Sequence, residues 1–180
     1  MEKRSTWKGR RNQCRITVDN HELASILCGH SVLKAELLRP MCERITSILC
    51  RLYRGGWQPP GIGADQVISV PRELNKAADK VCNTIMDIRS GGILYSSRRT
   101  TTFLAERCNL KISSDGGSRG GKSSATGWAV WAVLVGGGGE EVRETLLAKG
   151  VEWCDRGMPS LEVETRALAE VLEYVVRLLG

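Results

Sequence analysis

The chain has 180 residues, of which 42% are hydrophobic and 26% are charged, so it can bury the core of one domain, or of a small domain with a tail. Its formal net charge of +6 favours polyanionic partners. Seven scattered cysteines without a Cys-x-x-Cys pair argue against a zinc site or a disulfide framework. Because there is no signal peptide and no apolar run of transmembrane length, we expect no membrane partner and an intracellular, reducing setting, either nuclear or cytoplasmic.

The N-terminus is strongly basic. Only Glu2 opposes six basic residues among the first fifteen, which are Lys3, Arg4, Lys8, Arg10, Arg11 and Arg15. We expect residues 1–12 to form a basic arm, whose simplest interpretation is a solvated tail. Beside a domain that binds nucleic acid, such an arm would add salt-dependent affinity.

The first half of the chain alternates strand-like and helix-like patterns. The predicted elements are a strand over Cys14–Val18, a short helix over His21–Cys28, an amphipathic helix over Val32–Tyr53, a strand over Gln66–Val70 and a helix from Pro71 to about Asp87. Pro40 is expected to kink or split the second helix. Residues 89–109 are rich in glycine and serine and are predicted to be a linker, with one helical turn near Phe103–Arg107.

Residues 110–121, LKISSDGGSRGG, carry a more specific pattern. Apolar and polar residues alternate, which predicts a strand that ends at Asp115. Two interpretations of Asp115 with Gly116 and Gly117 remain open. One is an Asp-Gly hairpin turn, and the other is a metal or phosphate site at the mouth of the strand.

The remaining elements complete an α/β pattern with parallel and antiparallel pairings. Strands are predicted over Gly127–Val135 and Glu141–Val151, with a glycine hairpin at residues 136–139 between them. A closing helix is predicted over Leu161–Leu179, with Ser160 as its N-cap.

Four segments together resemble the ribonuclease H family. SDGGSRG with the following Gly-Trp strand is similar to the family's first strand and substrate loop, and EVETRALAEVLEYV is similar to its first helix. VDNHELASILCG resembles the middle acidic segment, and VPRELNKAADKVCN resembles the last motif. The resemblance implies an α/β fold in which helices flank a ribonuclease H-like mixed five-stranded sheet.

The order of these segments is rotated relative to the family. Residues 13–88 resemble the C-terminal half of the fold and residues 110–180 the N-terminal half, with residues 89–109 joining them. We therefore expect a circularly permuted single domain over residues 13–180, and a monomer. The alternative is a chain that holds halves of two neighbouring domains, which would complete each other in a domain-swapped dimer. An origin in a retroelement polyprotein is a further expectation.

The resemblance assigns catalytic roles to four carboxylates, those of Asp115, Glu164, Asp19 and Asp79. It implies that they bind two Mg²⁺ or Mn²⁺ ions, hard cations that prefer oxygen ligands. The implied activity is hydrolysis of the RNA strand of an RNA·DNA hybrid, with that hybrid or another nucleic-acid duplex as partner. Substrate contacts are expected at Gly116, Gly117, Ser118, Arg119, Ser160, Arg72 and Asn75.

Each carboxylate also has a structural alternative. Asp19 could cap the helix that begins near His21, and Glu164 could interact with the dipole of its own helix. Asp79 could be a solvated helix residue, and Glu162 competes with Glu164 for the catalytic role.

Departures from the family's pattern support a second hypothesis. Many members have Asn-Pro where this chain has Gly121-Lys122, and a histidine where it has Ser69. The chain could therefore be a catalytically silent module that binds nucleic acid. A protein-interaction scaffold is a third hypothesis, and it would require an exposed apolar patch.

Overall fold

The computed structural model describes residues 13–56, 67–96, 108–135 and 141–179. These residues form a six-stranded mixed sheet with helices on both faces. The α/β class predicted from the sequence is thereby confirmed. The basic arm, the helical turn near Phe103–Arg107 and the glycine hairpin at 136–139 lie outside the described residues.

The bounds of the elements are as follows. The strands are β1 (Cys14–Val18), β2 (Val67–Ser69), β3 (Gly92–Ser96), β4 (Cys108–Arg119), β5 (Ser123–Val135) and β6 (Glu141–Cys154). The helices are α1 (His21–Leu27), α2 (Arg39–Arg54), α3 (Lys76–Ile88) and α4 (Ser160–Leu179), with 3-10 turns at Glu36–Leu38 and Arg72–Leu74.

The strand order in the sheet is β2-β1-β4-β5-β6-β3. β1 pairs in parallel with both β2 and β4, whereas β4, β5 and β6 form an antiparallel meander. The parallel pairing sets Val18 opposite Ser114, one residue before Asp115. Residues 14–18 and 108–119, from the two halves of the chain, therefore share one sheet.

The sheet has one strand more than the five expected, and the additional strand lies in the predicted linker. β3 pairs antiparallel with β6, with Gly92 opposite Val151. The linker prediction is wrong at these residues because Ile93, Leu94 and Tyr95 favour extended backbone despite the glycines and serines around them. This strand is an edge strand, and Ile93 is half exposed.

α2 begins seven residues later than predicted. Pro40 lies in its first turn, where the missing N–H removes no helical hydrogen bond, so the proline starts the helix instead of kinking it. Val32 and Leu37, which continue the apolar spacing towards the N-terminus, are 84% and 93% exposed.

Two glycines allow helices to lie against the sheet at close range. A Cβ on Gly116 would lie 2.6 Å from the backbone nitrogen of Glu164 in α4. On the other face, a Cβ on Gly127 would lie 2.6 Å from the carbonyl oxygen of Ala78 in α3. The sequence therefore brings α4 and α3, the helices that carry Glu164 and Asp79, directly against the strands beside Asp115.

The core has one large and one small cluster. The large cluster joins α1, α2 and α4 to one face of the sheet, and α3 covers the other face through Val81, Cys82, Ile85 and Met86. The helix predicted from Pro71 begins instead at Lys76, and Leu74, which precedes it, is 72% exposed. None of the seven cysteines, all of which lie in the described residues, forms a disulfide.

Candidate functional site

Asp115 lies near the centre of the sheet, inside β4. The strand does not end there but continues to Arg119, and Gly116 pairs with Thr126 of β5. The hairpin-turn interpretation of Asp115-Gly116 is therefore wrong, because the turn comes after Arg119, where Gly120 and Gly121 have positive φ.

The Asp115 side chain is buried, and its residue is 4% exposed. Burial, and then the negative charges of Asp19 and Asp79, raise the pKa of Asp115 to about 6. The Arg72 charge and the Gly116 backbone N–H act in the opposite direction on this pKa. Asp115 is thus a carboxyl group whose ionisation would be favoured by an added cation.

Asp19 directly follows β1, beside Asp115. It is not the N-cap of α1, since the side chain of Asn20 accepts a hydrogen bond of 2.9 Å from the backbone nitrogen of Leu23. Asp19 Oδ1 is buried and has no hydrogen-bond partner among the described residues. The capping alternative for Asp19 is therefore wrong, and one of its oxygens is available for a ligand.

Glu164 reaches the site from the N-terminal part of α4. Its residue is 8% exposed, and Ser160 Oγ donates a hydrogen bond of 3.0 Å to Glu164 Oε1. Glu164 Oε2 is buried without a hydrogen-bond partner in the described part of the chain. By contrast, the competing Glu162 pairs with Arg156 at 3.2 Å.

The pKa of Glu164 is raised to about 7, mainly by burial and then by the charge of Asp19. Asp115 adds to this pKa shift, while hydrogen bonds from the side chains of Asn20 and Ser160 oppose it. Asn20 is a neighbour of the site that the sequence interpretation missed, although its place between a strand-end aspartate and a helix is a detectable N-cap signal.

Asp79 lies in the first turn of α3 and is bound by Arg72. Arg72 Nε donates a hydrogen bond of 2.7 Å to Asp79 Oδ1, and Arg72 Nη2 contacts the same oxygen. The charge of Asp79 acts on Asp115, but its carboxylate is engaged by the arginine. Arg72, expected to contact substrate, has a protein partner in this structure.

Asn75 connects the turn before α3 to the central strand. Its residue is 1% exposed, and Nδ2 donates a hydrogen bond of 2.8 Å to the carbonyl oxygen of Ser114. This bond attaches the end of the Arg72–Leu74 turn to β4 at Ser114, the residue before Asp115. The geometry gives Asn75, predicted to be a substrate contact, a positioning role.

Other residues predicted to contact substrate also have partners in the protein. Gly116 lies under α4, and a Cβ on Gly117 would lie 2.7 Å from Met86 Cε in α3. Ser118 Oγ donates a hydrogen bond of 3.2 Å to the carbonyl oxygen of Ser123. The exposed Arg119 pairs with Asp87 at 2.6 Å.

The four predicted carboxylates interact through their charges, but they do not form a compact chelate. Asp115 interacts electrostatically with Asp19 and Asp79, and Glu164 interacts with Asp19 and Asp115. Within residues 13–56, 67–96, 108–135 and 141–179, no group of three or more His, Cys, Asp or Glu side chains has an arrangement that could hold a metal ion. Among the four carboxylates, that of Asp79 forms an ion pair with Arg72.

A second pair of acidic residues, which sequence reasoning missed, links β6 to α4. Thr126 Oγ1 accepts a hydrogen bond from the backbone nitrogen of Glu152 and donates one of 2.7 Å to Glu170 Oε2. Burial, and then a hydrogen bond with Glu152, raise the pKa of Glu170 to about 8. Arg166 Nε donates a hydrogen bond of 2.7 Å to Glu152 Oε2. No spacing rule joins residues 126, 152 and 170, so only the fold reveals this network.

Comparison with models of known protein families and with curated proteins produced no match to this chain. Among the described helices, none has the length and apolar content that crossing a membrane requires.

Proposed function

We propose that this chain is a metal-dependent endonuclease of the ribonuclease H type, which hydrolyses the RNA strand of RNA·DNA hybrids. The observation that supports this proposal most strongly is the grouping of the buried Asp115 and Glu164 with Asp19, a partly exposed residue whose Oδ1 is buried, where two parallel strands meet a helix N-terminus. Burying several like charges costs stability, and such groups concentrate at functional sites.

The donor atoms of this site suit Mg²⁺ or Mn²⁺. Asp19 Oδ1 and Glu164 Oε2 are buried oxygens without hydrogen-bond partners among the described residues, and hard divalent cations prefer carboxylate oxygens. Asp115, Asp19, Glu164 and Asp79 would hold the ions. When bound, two such ions would neutralise the negative charge on the attacking and leaving oxygens of a phosphodiester.

The protein's own residues position this chemistry. The parallel pairing of β1 with β4 fixes Asp19 beside Asp115, and the close contact at Gly116 fixes the backbone of Glu164. Ser160 orients one oxygen of Glu164 and leaves the other free of hydrogen bonds within the described chain. Burial of Asp115 and Glu164 lowers the local dielectric, which strengthens their interaction with a cation.

The proposal includes the permuted architecture. β1, β2 and α3 would represent the C-terminal half of a ribonuclease H-like domain, and β4, β5, β6 and α4 the N-terminal half, within one monomer. Its support is that these segments pair in one sheet of one chain. The +6 charge favours a nucleic-acid duplex as partner.

The test is cleavage of an RNA·DNA hybrid labelled on the RNA strand, in millimolar Mg²⁺ or Mn²⁺ with an EDTA control. DNA duplex and RNA duplex of the same sequence serve as specificity controls. We expect RNA-strand cleavage of the hybrid that EDTA abolishes. Absence of cleavage in both metals, with the protein folded, would reject the enzyme.

A nucleic-acid-binding module without catalysis is the second candidate. Two observations favour it: Asp79 is engaged by Arg72, and the carboxylates have no chelating arrangement in the described residues. Hybrid binding in a gel-shift assay without cleavage would establish this alternative.

A further inference from the structure

We propose that Arg72 is an internal counter-ion of the carboxylate site, and that a divalent cation competes with it for Asp79. This inference rests on the proposed function. It assigns to Arg72 a role in setting cation affinity, beyond its expected contact with substrate.

The contact between Arg72 and Asp79 is the first support. Two nitrogens of the guanidinium, Nε and Nη2, donate to the single oxygen Asp79 Oδ1. The charges of Asp115 and Asp19 also act on this guanidinium, so one arginine interacts with three of the four carboxylates. The guanidinium therefore offsets part of the negative charge that a bound cation would neutralise.

The exposure of the two partners is the second support. The Arg72 side chain is 65% exposed, whereas that of Asp79 is 25% exposed. The guanidinium can therefore turn into solvent without opening the core, while Asp79 stays where it is on α3.

The anchoring of the Arg72 backbone is the third support. Arg72 O accepts a hydrogen bond of 2.9 Å from the backbone nitrogen of Asn75, and the Asn75 side chain is bonded to Ser114 O in β4. The turn is thus attached to the central strand independently of the ion pair. Displacement requires only rotation of one side chain, and α3 keeps its position.

Competition follows from this geometry. A cation that takes Asp79 Oδ1 as a ligand has to replace the charge-assisted bonds from Arg72. A cation at the other oxygen is repelled by the guanidinium charge, so in both cases the arginine lowers cation affinity. Without a cation, the arginine reduces repulsion among the carboxylates and stabilises the fold.

The test compares Arg72→Ala with the parent protein by calorimetric titration with Mn²⁺ and by Tm without divalent cations. We expect Arg72→Ala to bind Mn²⁺ about five-fold more tightly, the factor given by an exposed ion pair of ordinary strength. Its metal-free Tm should be lower than that of the parent, and saturating Mn²⁺ should remove that difference. Arg72→Lys, which keeps the charge without the fork of donors, should give intermediate values.

Arg39→Ala is the matched control. Arg39 also binds one carboxylate through Nε and Nη2, that of Glu36 at 2.9 and 2.7 Å, and its side chain is 54% exposed. The Mn²⁺ affinity of Arg39→Ala should equal that of the parent. Equal or weaker Mn²⁺ binding by Arg72→Ala would overturn the inference while leaving the proposed enzyme intact. Absence of Mn²⁺ binding by the parent and all variants would overturn the metal-dependent function, and the competition with it.

Discussion

At the scale of single residues, the burial of the Asp115 carboxylate costs stability, although this carboxylate is proposed to bind a metal ion. Because burial and neighbouring carboxylates raise its pKa to about 6, its charged form costs more free energy than that of an ordinary aspartate, and a nearby cation would offset this cost. The free energy of unfolding and the cation affinity should therefore respond in opposite directions to removal of this charge.

Asp115→Asn tests this opposition. The substitution keeps the side-chain size and removes the negative charge, so at pH 8 without metal the Tm should equal or exceed that of the parent. Hybrid cleavage should fall by at least about 100-fold, because electrostatic stabilisation is most of what such a site supplies. Thermal unfolding and cleavage assays measure the two effects. Glu162→Gln, at the residue paired with Arg156, is the control and should cleave like the parent.

Glu170 makes stability depend on pH. Its pKa is raised from 4.5 to about 8, so between these values the folded protein binds more protons than the unfolded chain. The stability from this group is complete below about pH 4.5 and is lost as the pH rises through 8.

Glu170→Gln should remove this loss of stability at high pH. A glutamine can still accept the hydrogen bond from Thr126, and it does not ionise beside Glu152. At pH 8.5 the variant should melt at least about 2 °C above the parent, the shift that about 1 kcal/mol gives in a chain of this size. Glu173→Gln, which removes an ion pair with Arg44, should not change the pH profile. Parallel pH profiles for parent and Glu170→Gln would contradict the assignment.

At the scale of elements, the position of α3 depends on the absence of a side chain at Gly127. In Gly127→Ala the new methyl group would lie 2.6 Å from the backbone nitrogen of Cys82 and from the carbonyl oxygen of Ala78, and neither backbone can rotate away. We expect a loss of about 1–3 kcal/mol in the free energy of unfolding, measured by urea denaturation. Ser123→Ala, at the start of the same strand, should change it by less than about 0.5 kcal/mol. An unchanged urea midpoint for Gly127→Ala would show that α3 lies farther from the sheet.

The sequence predicted elements well where one periodic pattern decided them. β1 has the predicted bounds, and α4 begins one residue before the predicted start. β3 was missed because its three apolar residues lie among glycines and serines, and because pairing with β6 is a non-local contact. α2 was predicted too long because the apolar spacing continues through Leu37, a residue with no core to face.

The candidate site was predicted through the resemblance to a known family, which pointed to Asp19, Asp115 and Glu164. The structure brings the charges of these three residues close enough to interact. The ion pair of Arg72 with Asp79 depends on side-chain conformations, which no spacing rule specifies. Likewise, the role of Gly116 as a contact for α4 appears only when the helix is in place.

At the scale of the whole molecule, the parallel pairing of β1 with β4 connects the two halves of the chain. It joins residues 14–18 to residues 110–114, and β2 extends the same sheet beyond β1. Asp19 and Asp115 therefore lie at neighbouring strands although 96 positions separate them in the sequence. Chain order is immaterial to such a site, because only spatial geometry enters its chemistry.

The distribution of charge along the whole chain gives the last prediction. The arm contains Lys8, Arg10 and Arg11, and the net charge of +6 depends on such residues. Replacing these three residues with alanine should weaken duplex binding and reduce the slope of log affinity against log salt by up to about 2.7, if each neutralises one phosphate. The cleavage rate at saturating substrate should be unchanged, because the arm contributes none of the proposed metal ligands. Fluorescence anisotropy over a salt series measures the slope, and equal slopes for the two proteins would show that the arm does not contact the duplex.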